Sequence, residues 1–266
     1  MKTMESTLVA ALILAVGGTK PVRADNILYF VDANHGTDQM AAALAGVSSS
    51  HTTVTASSAA DFTTKLTSGG YSLAIFSLQN QVVAPDDFIA LGDLQNFVAG
   101  GGRAIVDVFE GSGLDISGFG ANYTGDINGP AATMTAFNSG VTNPVSLSNT
   151  VPPWGAFSYG MTLDALNGVS VAGTFFDPGN SSGTNGQAAV IVGDGGRSIV
   201  NGFMNDAAGL EGKQIYTNEI STLLPPICSP LNGCPSVPEP SFWPVVAIGM
   251  AILVGYARFR RAVHTR

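Results

Sequence analysis

Short, continuous apolar runs alternate with longer segments of mixed polarity through the first part of the chain. Apolar runs predict β-strands at residues 27–31, 71–78 and 103–109, and the segment HTTVTAS predicts a further strand at 51–57. Three segments between them predict helices, at residues 37–44, 58–69 and 85–102. Strands that alternate with helices at this spacing are typical of βαβ units. The pattern therefore predicts an α/β domain with a mostly parallel sheet and flanking helices.

The predicted helices begin and end at residues that suit those positions. Thr37 can cap the first helix, and Gly69 can end the second. Pro85 stands in the first turn of the third helix, and Asp86 and Asp87 follow it, where carboxylates interact favourably with the helix dipole. These residues support three separate helices between the strands.

The second half of the chain has a different composition. Residues 111–150 are rich in Gly, Asn, Ser and Thr and predict loops. Strands are expected at 169–176 and twice within 187–204, where Asp-Gly-Gly at 194–196 predicts a hairpin turn. Residues 212–224 predict a closing helix.

Two segments of the body resemble class I glutamine-amidotransferase-like domains. The first is the helix–glycine–strand passage LGDLQNFVAGGGRAIVD. The second comprises NPV at 143–145, then AAVIVGDGGRSIVNGFM and QIYTNEISTLL, and it is similar to the second half of that superfamily's non-catalytic branch. The resemblance implies an amidotransferase-like or flavodoxin-like fold over residues 25–224.

The catalytic residues of that family have no counterparts here. In the family that the body resembles, a cysteine nucleophile stands at the turn after the strand equivalent to the fourth strand here, and a histidine takes its proton. The turn reads EGSG at 110–113, and no histidine lies between His51 and His264. Glutaminase activity is therefore not expected. Ser112 also lacks the spacing of a Gly-x-Ser-x-Gly nucleophile.

Polar residues at the ends of predicted strands are the remaining candidates for catalysis. Asp32, His35 and Glu110 follow the first and fourth strands, whose carboxyl ends share one edge of a parallel sheet. Together they could serve a hydrolase, and Asp32, Asp107 and Glu110 could instead hold Ca²⁺ or Mg²⁺. The structural alternative is that Asp32 caps a turn, His35 is a polar loop residue and Asp107 pairs with Arg103 or with a backbone group.

Other polar segments have simpler interpretations. His51 is expected to be solvated in a turn. Asp177 and Asn180 could touch a cation, but a flexible hairpin explains residues 177–186 equally well. Neither GDGGR nor the glycines at 100–102 match a phosphate-binding loop. The sequence predicts no cofactor and no dedicated metal site.

An aromatic patch is the candidate for ligand binding. Trp154, Phe157 and Tyr159 lie close together in the sequence. Aromatic rings stack on sugars, so Trp154 and Tyr159 are candidates for carbohydrate binding, and core packing is the alternative.

Charge limits the partners that the protein can bind. The 266 residues include 11 Lys and Arg against 19 Asp and Glu, a net charge of −8. Between residues 25 and 236 the basic residues are Lys65, Arg103, Arg197 and Lys213. Such an acidic body repels phosphate backbones, so no nucleic-acid partner is expected.

The N-terminal segment predicts export. Leu8–Val16 is an apolar stretch shorter than a membrane span, and Val22-Arg23-Ala24 suits cleavage by signal peptidase after Ala24. Residues 1–24 are therefore predicted to be a signal peptide, and an uncleaved anchor is the alternative. Cys228 and Cys234 stand in a Pro-rich linker at 225–236 and are expected to pair in an oxidising compartment, free thiols being the alternative.

The C-terminal segment combines three features in a fixed order. The motif Val237-Pro238-Glu239-Pro240 precedes an apolar helix at 242–257. A cluster of arginines then follows, at Arg258, Arg260 and Arg261. The helix is long enough for a short membrane span, and the arginines orient it with the body outside the inner membrane.

Residues 237–266 resemble the PEP-CTERM sorting signal of Gram-negative bacteria, with an ordinary tail anchor as the alternative. The resemblance implies that exosortase, an integral-membrane protease-transpeptidase, recognises the tail and delivers the protein to the cell surface or an extracellular matrix. We therefore expect an exported protein with a binding or structural α/β domain, for which extracellular polysaccharide is a candidate partner. The alternative is an envelope hydrolase built on Asp32, His35 and Glu110.

Overall fold

The computed structural model describes the body of the chain between residues 25 and 224. The described ranges are 25–34, 36–79, 83–108, 113–130, 133–134, 145–146, 157–176, 187–205 and 209–224. Met1–Pro225 and Pro226–Arg266 form two compact units, and every described residue lies in the first. None of the helices in the described ranges has the length and apolar character needed to cross a membrane.

The elements follow one another as strands and helices in the first half and mainly as strands in the second. The helices are α1 (Gln39–Gly46), α2 (Ala59–Ser68), α3 (Pro85–Ala99) and α4 (Gly209–Leu223), with a 3₁₀ turn at Ser117–Phe119. The strands are β1 (Asp25–Val31), β2 (His51–Thr55), β3 (Leu73–Leu78), β4 (Arg103–Val108), β5 (Ala121–Pro130), β6 (Thr133–Met134), β7 (Val145–Ser146), β8 (Phe157–Ala165), β9 (Ser170–Phe176), β10 (Ala188–Gly193) and β11 (Ser198–Asn201).

The sheet is mixed, and the prediction of a mostly parallel sheet is corrected. Strands β2, β1, β3, β4 and β11 are parallel neighbours in that order, which is the order of flavodoxin-like sheets. Beyond β11 the pairings of β10, β9, β8 and β5 are antiparallel. The tight turn between β10 and β11 leaves no room for a crossover helix, so the chain must reverse its direction there.

Two long strands replace predicted irregular segments. β5 lies within 111–150, and β8 begins at Phe157 inside the predicted aromatic patch. The two strands pair with each other over nine residue pairs, from Ala121 opposite Ala165 to Pro130 opposite Phe157. Residues with weak strand propensity, such as Gly125 and Asn128, are held by the partner strand's hydrogen bonds.

Helices cover both faces of the parallel strands. Side chains of α1 and α4 pack on one face, around Ile27, Ile75 and Ile199, and this side is called the α1/α4 face. Side chains of α2 and α3 pack on the opposite side, which is called the α2/α3 face. The sheet is buried between them, which explains why its strands are continuous apolar runs.

The helix and turn boundaries follow from a few residues. Asp38, not the predicted Thr37, caps α1: its carboxylate accepts the Ala41 N–H at 2.7 Å. Gly69 ends α2 at φ +79, as predicted, and Pro85 opens α3. The predicted hairpin is also present, with Asp194 at φ 49 followed by two glycines at positive φ.

Candidate functional site

A row of polar side chains crosses the α1/α4 face near the carboxyl ends of the parallel strands. Ser77, Asp107 and Asn201 are register partners on β3, β4 and β11. The Ser77 hydroxyl donates to Asp107 Oδ2 at 3.2 Å, and Asn201 Nδ2 donates to Asp107 Oδ1 at 2.8 Å. All three residues are fully buried. Because the three residues stand opposite one another on neighbouring strands, their side chains form one hydrogen-bonded row.

Helix α4 adds a second carboxyl group to this row. Glu219 is fully buried, and its Oε2 accepts from Asn201 Nδ2 at 2.9 Å. One amide nitrogen thus donates to the carboxyl groups of both Asp107 and Glu219. The arrangement holds two acidic groups close together inside the core, and Asn201 links the helix to the sheet.

The buried carboxyl groups of this pair resist ionisation. Burial raises the pKa of Asp107 to about 7, against the opposing effect of the hydrogen bonds from Asn201 and Ser77. Burial, and secondarily the nearby Asp107, raises the pKa of Glu219 well above its ordinary value. Two like charges this close in a low-dielectric interior repel, so the pair retains at least one proton at neutral pH.

Some buried polar atoms around this pair have no hydrogen-bond partner among the described residues. They are Asn201 Oδ1, Glu219 Oε1 and the Tyr216 hydroxyl. Tyr216 makes no bond of normal geometry, yet its hydroxyl lies near enough to Asp107 to counter slightly the rise in that group's pKa. When Glu219 is protonated, its carboxyl group provides a hydrogen-bond donor among these atoms. This is consistent with the raised pKa of Glu219.

A second polar cluster lies at the carboxyl end of β1, around the cap of α1. The Tyr29 hydroxyl lies 2.8 Å from Asp38 Oδ2 and 3.0 Å from Oδ1. Asn205 Nδ2 donates to Asp38 Oδ1 at 2.9 Å, while Asn205 Oδ1 accepts the Met40 N–H. Burial, followed by the charge of Asp38, raises the pKa of Tyr29. Asp38 therefore ties β1, α1 and the segment after β11 together.

Asp32 and Gln79 extend this second cluster to the end of β3. Asp32 Oδ1 accepts the Gln79 N–H at 2.6 Å. The Gln79 side chain donates to the Ser77 hydroxyl at 3.2 Å and accepts the Asn205 N–H at 2.7 Å. The two clusters are thus connected through Gln79, and Asp32 links the end of β1 to the residue after β3.

Of the predicted catalytic residues Asp32, His35 and Glu110, the structure describes Asp32 alone. Asp32 follows β1 and Asp107 lies within β4, but Asp107 contacts Ser77 and Asn201 in the core. The expected pairing of Asp107 with Arg103 is therefore wrong: four residues apart on a strand, their side chains cannot adjoin. His35, Glu110 and Ser112 lie outside the described residues.

The remaining predicted positions have mixed outcomes. His51 begins β2 and is buried, with Nδ1 unpartnered in the described part of the chain, so its expected solvation is wrong. Tyr159 belongs to β8. The other positions lie outside the described residues: Trp154, Asp177, Asn180, Cys228, Cys234, residues 1–24 and the sorting signal at 237–266.

Asp38, Asn201 and Glu219 were not predicted to belong to a site, although the position of each in the sequence pattern indicates a structural role. Asn201 follows the apolar pair Ile199-Val200 at the end of β11, and Glu219 is adjacent to Ile220 on the apolar side of α4. A polar residue at a position that periodicity assigns to the core indicates a buried hydrogen bond. Asp38 precedes a helical segment as an N-cap does.

An open groove adjoins the second cluster, between α1 and the edge strand β2. Its volume is about 530 Å³. Tyr29, Asn34 and Asp38 lie at its polar end, and Thr53 and Thr55 contribute hydroxyl groups from β2. Within the described ranges, no group of three or more His, Cys, Asp or Glu residues has a geometry that could hold a metal ion.

Comparisons with known proteins place no family name on the chain. No protein-family model matches it, and no curated protein sequence matches it. Similar solved structures include a glutamine amidotransferase from Thermotoga maritima, with a TM-score of 0.46, 9% identity, and coverage of 76% of this chain and 97% of that one.

Two further solved structures are similar at the same level. Agd3, a carbohydrate deacetylase, has a TM-score of 0.46 and 13% identity, over 73% of this chain and 32% of that one. A glutamine amidotransferase from Methylobacillus flagellatus has a TM-score of 0.40 and 13% identity, over 68% of this chain and 69% of that one. Glutamine amidotransferases are also the family that the body resembles in sequence, and at these TM-scores the comparisons carry no argument about activity.

Proposed function

We propose that the protein is an exported, surface-sorted protein whose α/β domain binds a ligand or partner without transforming it. The sorting part of the proposal rests on the sequence of the two ends. An apolar stretch at Leu8–Val16 precedes Ala24, and a Pro-Glu-Pro motif, an apolar segment and arginines follow the body in the order of a PEP-CTERM signal. Signal peptidase and exosortase are the processing partners that this order implies.

The non-catalytic part rests on one observation: the candidate carboxylates of the described body are engaged in holding its elements together. Asp32 accepts the Gln79 N–H, and Asp38 accepts from Tyr29, Ala41 and Asn205. Asp107 is fully buried below the sheet edge. A general acid or base must reach the proton that it transfers, and carboxylates used in this way support a scaffold.

The sorting proposal is tested by the intact mass of the protein purified from membrane and extracellular fractions of its own host. We expect a product that begins at Asp25 and ends near Pro240 in the extracellular fraction. Replacing Arg258, Arg260 and Arg261 together with alanine should leave the chain uncleaved at its C-terminus. An unprocessed chain ending at Arg266 in the inner membrane of the wild type would show a permanent anchor instead.

A hydrolase built on Asp32, His35 and Glu110 is the second candidate. The observation in its favour is that Asp32 follows β1 at the carboxyl edge of the parallel strands, where α/β sites form. The test is release of reducing sugar or acetate from extracellular polysaccharide by the purified full chain. Asp32→Asn keeps the acceptor for Gln79, so loss of release in this variant alone would establish the hydrolase. We expect no release by the wild type.

A further inference from the structure

The groove beside α1 exists because of where small residues fall. β2 is an edge strand that pairs with β1, and α1 spans only Gln39–Gly46. Ala41 and Ala45, one helical turn apart, line the groove together with Ser48. Short side chains on that side of α1 leave the adjacent face of β2 uncovered. A volume of about 530 Å³ lies within the range of about 300–1,000 Å³ typical of small-molecule sites.

Hydroxyl and amide groups stand along the groove in a regular arrangement. Thr53 and Thr55 are register partners of Ile27 and Tyr29, so their side chains lie on the α1/α4 face. Alternate residues of a strand are separated by about 6.6 Å, which spaces the two hydroxyls along the groove. Asn34 adds an amide at the polar end. The apolar surface between these groups comes from Val31 and Leu44.

Asp38 is oriented toward the polar end by its neighbours and retains capacity for a further donor. Its Oδ1 accepts from the Ala41 N–H and from Asn205. Its Oδ2 accepts from the Tyr29 hydroxyl at 2.8 Å, and the other donor near this oxygen among the described residues is Asn34 Nδ2 at 3.5 Å. A carboxylate oxygen can accept two hydrogen bonds, so a ligand hydroxyl can replace the long contact with Asn34.

The charge of the groove selects against anions. Asp38 is the carboxylate among the lining residues, and no Lys, Arg or His belongs to that described lining. A phosphate or uronate group would meet an anion with no compensating cation. A neutral ligand with several hydroxyl groups meets acceptors at Asp38 and Asn34, donors and acceptors at the threonines, and apolar surface for its C–H groups.

We propose that this groove binds a neutral, polyhydroxylated ligand, namely a short stretch of uncharged polysaccharide, with Asp38 Oδ2 accepting from a ligand hydroxyl. The inference deepens the proposed binding function and rests on it. It assigns carbohydrate binding to α1 and β2 rather than to Trp154 and Tyr159. Thr53 and Thr55 then form one wall of the site, and the helix side at Ala41 and Ala45 forms the other.

The test measures binding of the full chain to immobilised neutral glucan, mannan and galactan, with alginate as the anionic comparison. The chain is kept in a detergent without a sugar headgroup, since such a headgroup would compete. Ala45→Trp fills the groove, and Ala60→Trp is its matched control at another exposed helical alanine, on α2. We expect Ala45→Trp to weaken binding at least about tenfold and Ala60→Trp to leave it unchanged.

A second pair of variants avoids any change in volume. Thr53→Val removes a hydroxyl that lines the groove, and Thr52→Val removes one from the next position of the same strand, which is exposed. We expect about fivefold weaker binding for Thr53→Val, the effect of one hydrogen bond, and no change for Thr52→Val. Circular dichroism confirms that all four variants fold.

The outcomes separate this inference from the function on which it rests. Neutral-glycan binding that survives Ala45→Trp and Thr53→Val would overturn the groove and leave the binding function standing. Preference for alginate would overturn the charge argument and the ligand class. If the wild type binds none of these glycans but is retained in the host matrix, the groove inference fails alone. If it is not retained either, the proposed function fails too.

Discussion

The two faces of the same parallel strands are built on different principles. On the α2/α3 face, Phe30, Phe62 and Phe76 form an aromatic cluster with ring centroids 5.0–6.2 Å apart. On the α1/α4 face, the same sheet carries the polar row, in which Asn201 joins Asp107 to Glu219. Both faces are buried, yet the aromatic cluster involves only apolar contacts, whereas the polar row contains acidic groups that must be kept neutral or hydrogen-bonded.

This difference shows how burial can make one cluster of a domain insensitive to pH and another cluster sensitive to it. Aromatic packing gains free energy from area removed from water and from ring geometry, neither of which involves a proton. The polar row depends on the protonation state of two carboxyl groups in a low-dielectric interior. The polar row should therefore respond to pH, while the aromatic cluster should not.

The largest effect is expected from breaking the aromatic cluster. Phe62 is fully buried on α2, and Phe62→Ala should lower the free energy of unfolding by about 3–5 kcal/mol because it leaves a cavity. The loss should be the same at pH 5 and pH 9, measured by urea unfolding of the full chain in detergent. Phe88→Ala on α3 is the control: this side chain is 47% exposed, and the change should stay within about 0.5 kcal/mol.

The second effect comes from the acidic pair and depends on pH. The pKa of Asp107 is about 7 in the folded chain and 3.8 ordinarily. Below about pH 4 the group is protonated in both states and carries no penalty. As pH rises from about 4 to 7, the unfolded chain releases this proton first, so the free energy of unfolding falls. The fall that Asp107 contributes is on the order of 4 kcal/mol and is complete above about pH 7.

Asp107→Asn should abolish that fall, because an amide accepts from Asn201 without titrating. Glu219→Gln is the companion variant. The pKa of Glu219 is raised well above 4.5, so the folded chain keeps this proton while the unfolded chain releases it from about pH 4.5 upward, and the replacement should remove a further fall of the same sign. Urea unfolding at several pH values between 4 and 8 measures the slope that each variant retains. A wild-type stability that is flat over this range would contradict the raised pKa of Asp107.

The smallest effects compare the helix caps of the two faces. Asp38 caps α1 and also accepts from Tyr29 and Asn205, so Asp38→Ala leaves two further donors unsatisfied and should cost at least about 2 kcal/mol. Ser58 caps α2 through the Asp61 N–H, and Ser58→Ala should cost about 1 kcal/mol. Equal losses in thermal unfolding would show that the bonds from Tyr29 and Asn205 add nothing to the cap.

Local signals in the sequence predicted the first half of the fold well. The apolar runs that became β1, β3 and β4 are buried on both faces, as continuous runs in parallel sheets are. Gly69 and Pro85 also marked helix boundaries correctly, because positive φ and a missing N–H are properties of single residues. These features need no knowledge of distant contacts.

The second half was predicted less well, since its strands depend on partners far along the chain. β5 is formed through β8, which begins at Phe157, and neither has a clear alternating pattern. At Gly193, a Cβ atom would lie 2.0 Å from the Phe119 carbonyl oxygen, so this glycine is required by a contact across 74 residues. No local window contains that information.

The sequence by itself determined the α/β class, the first four strands, their intervening helices and the hairpin before β11. It also determined the acidic charge that disfavours polyanions. Only the tertiary structure decided that Ser77, Asp107 and Asn201 share one row, that Glu219 reaches it, and that a groove opens beside α1. The reason is physical: periodicity and capping act within a few residues, whereas register and desolvation depend on elements brought together by folding.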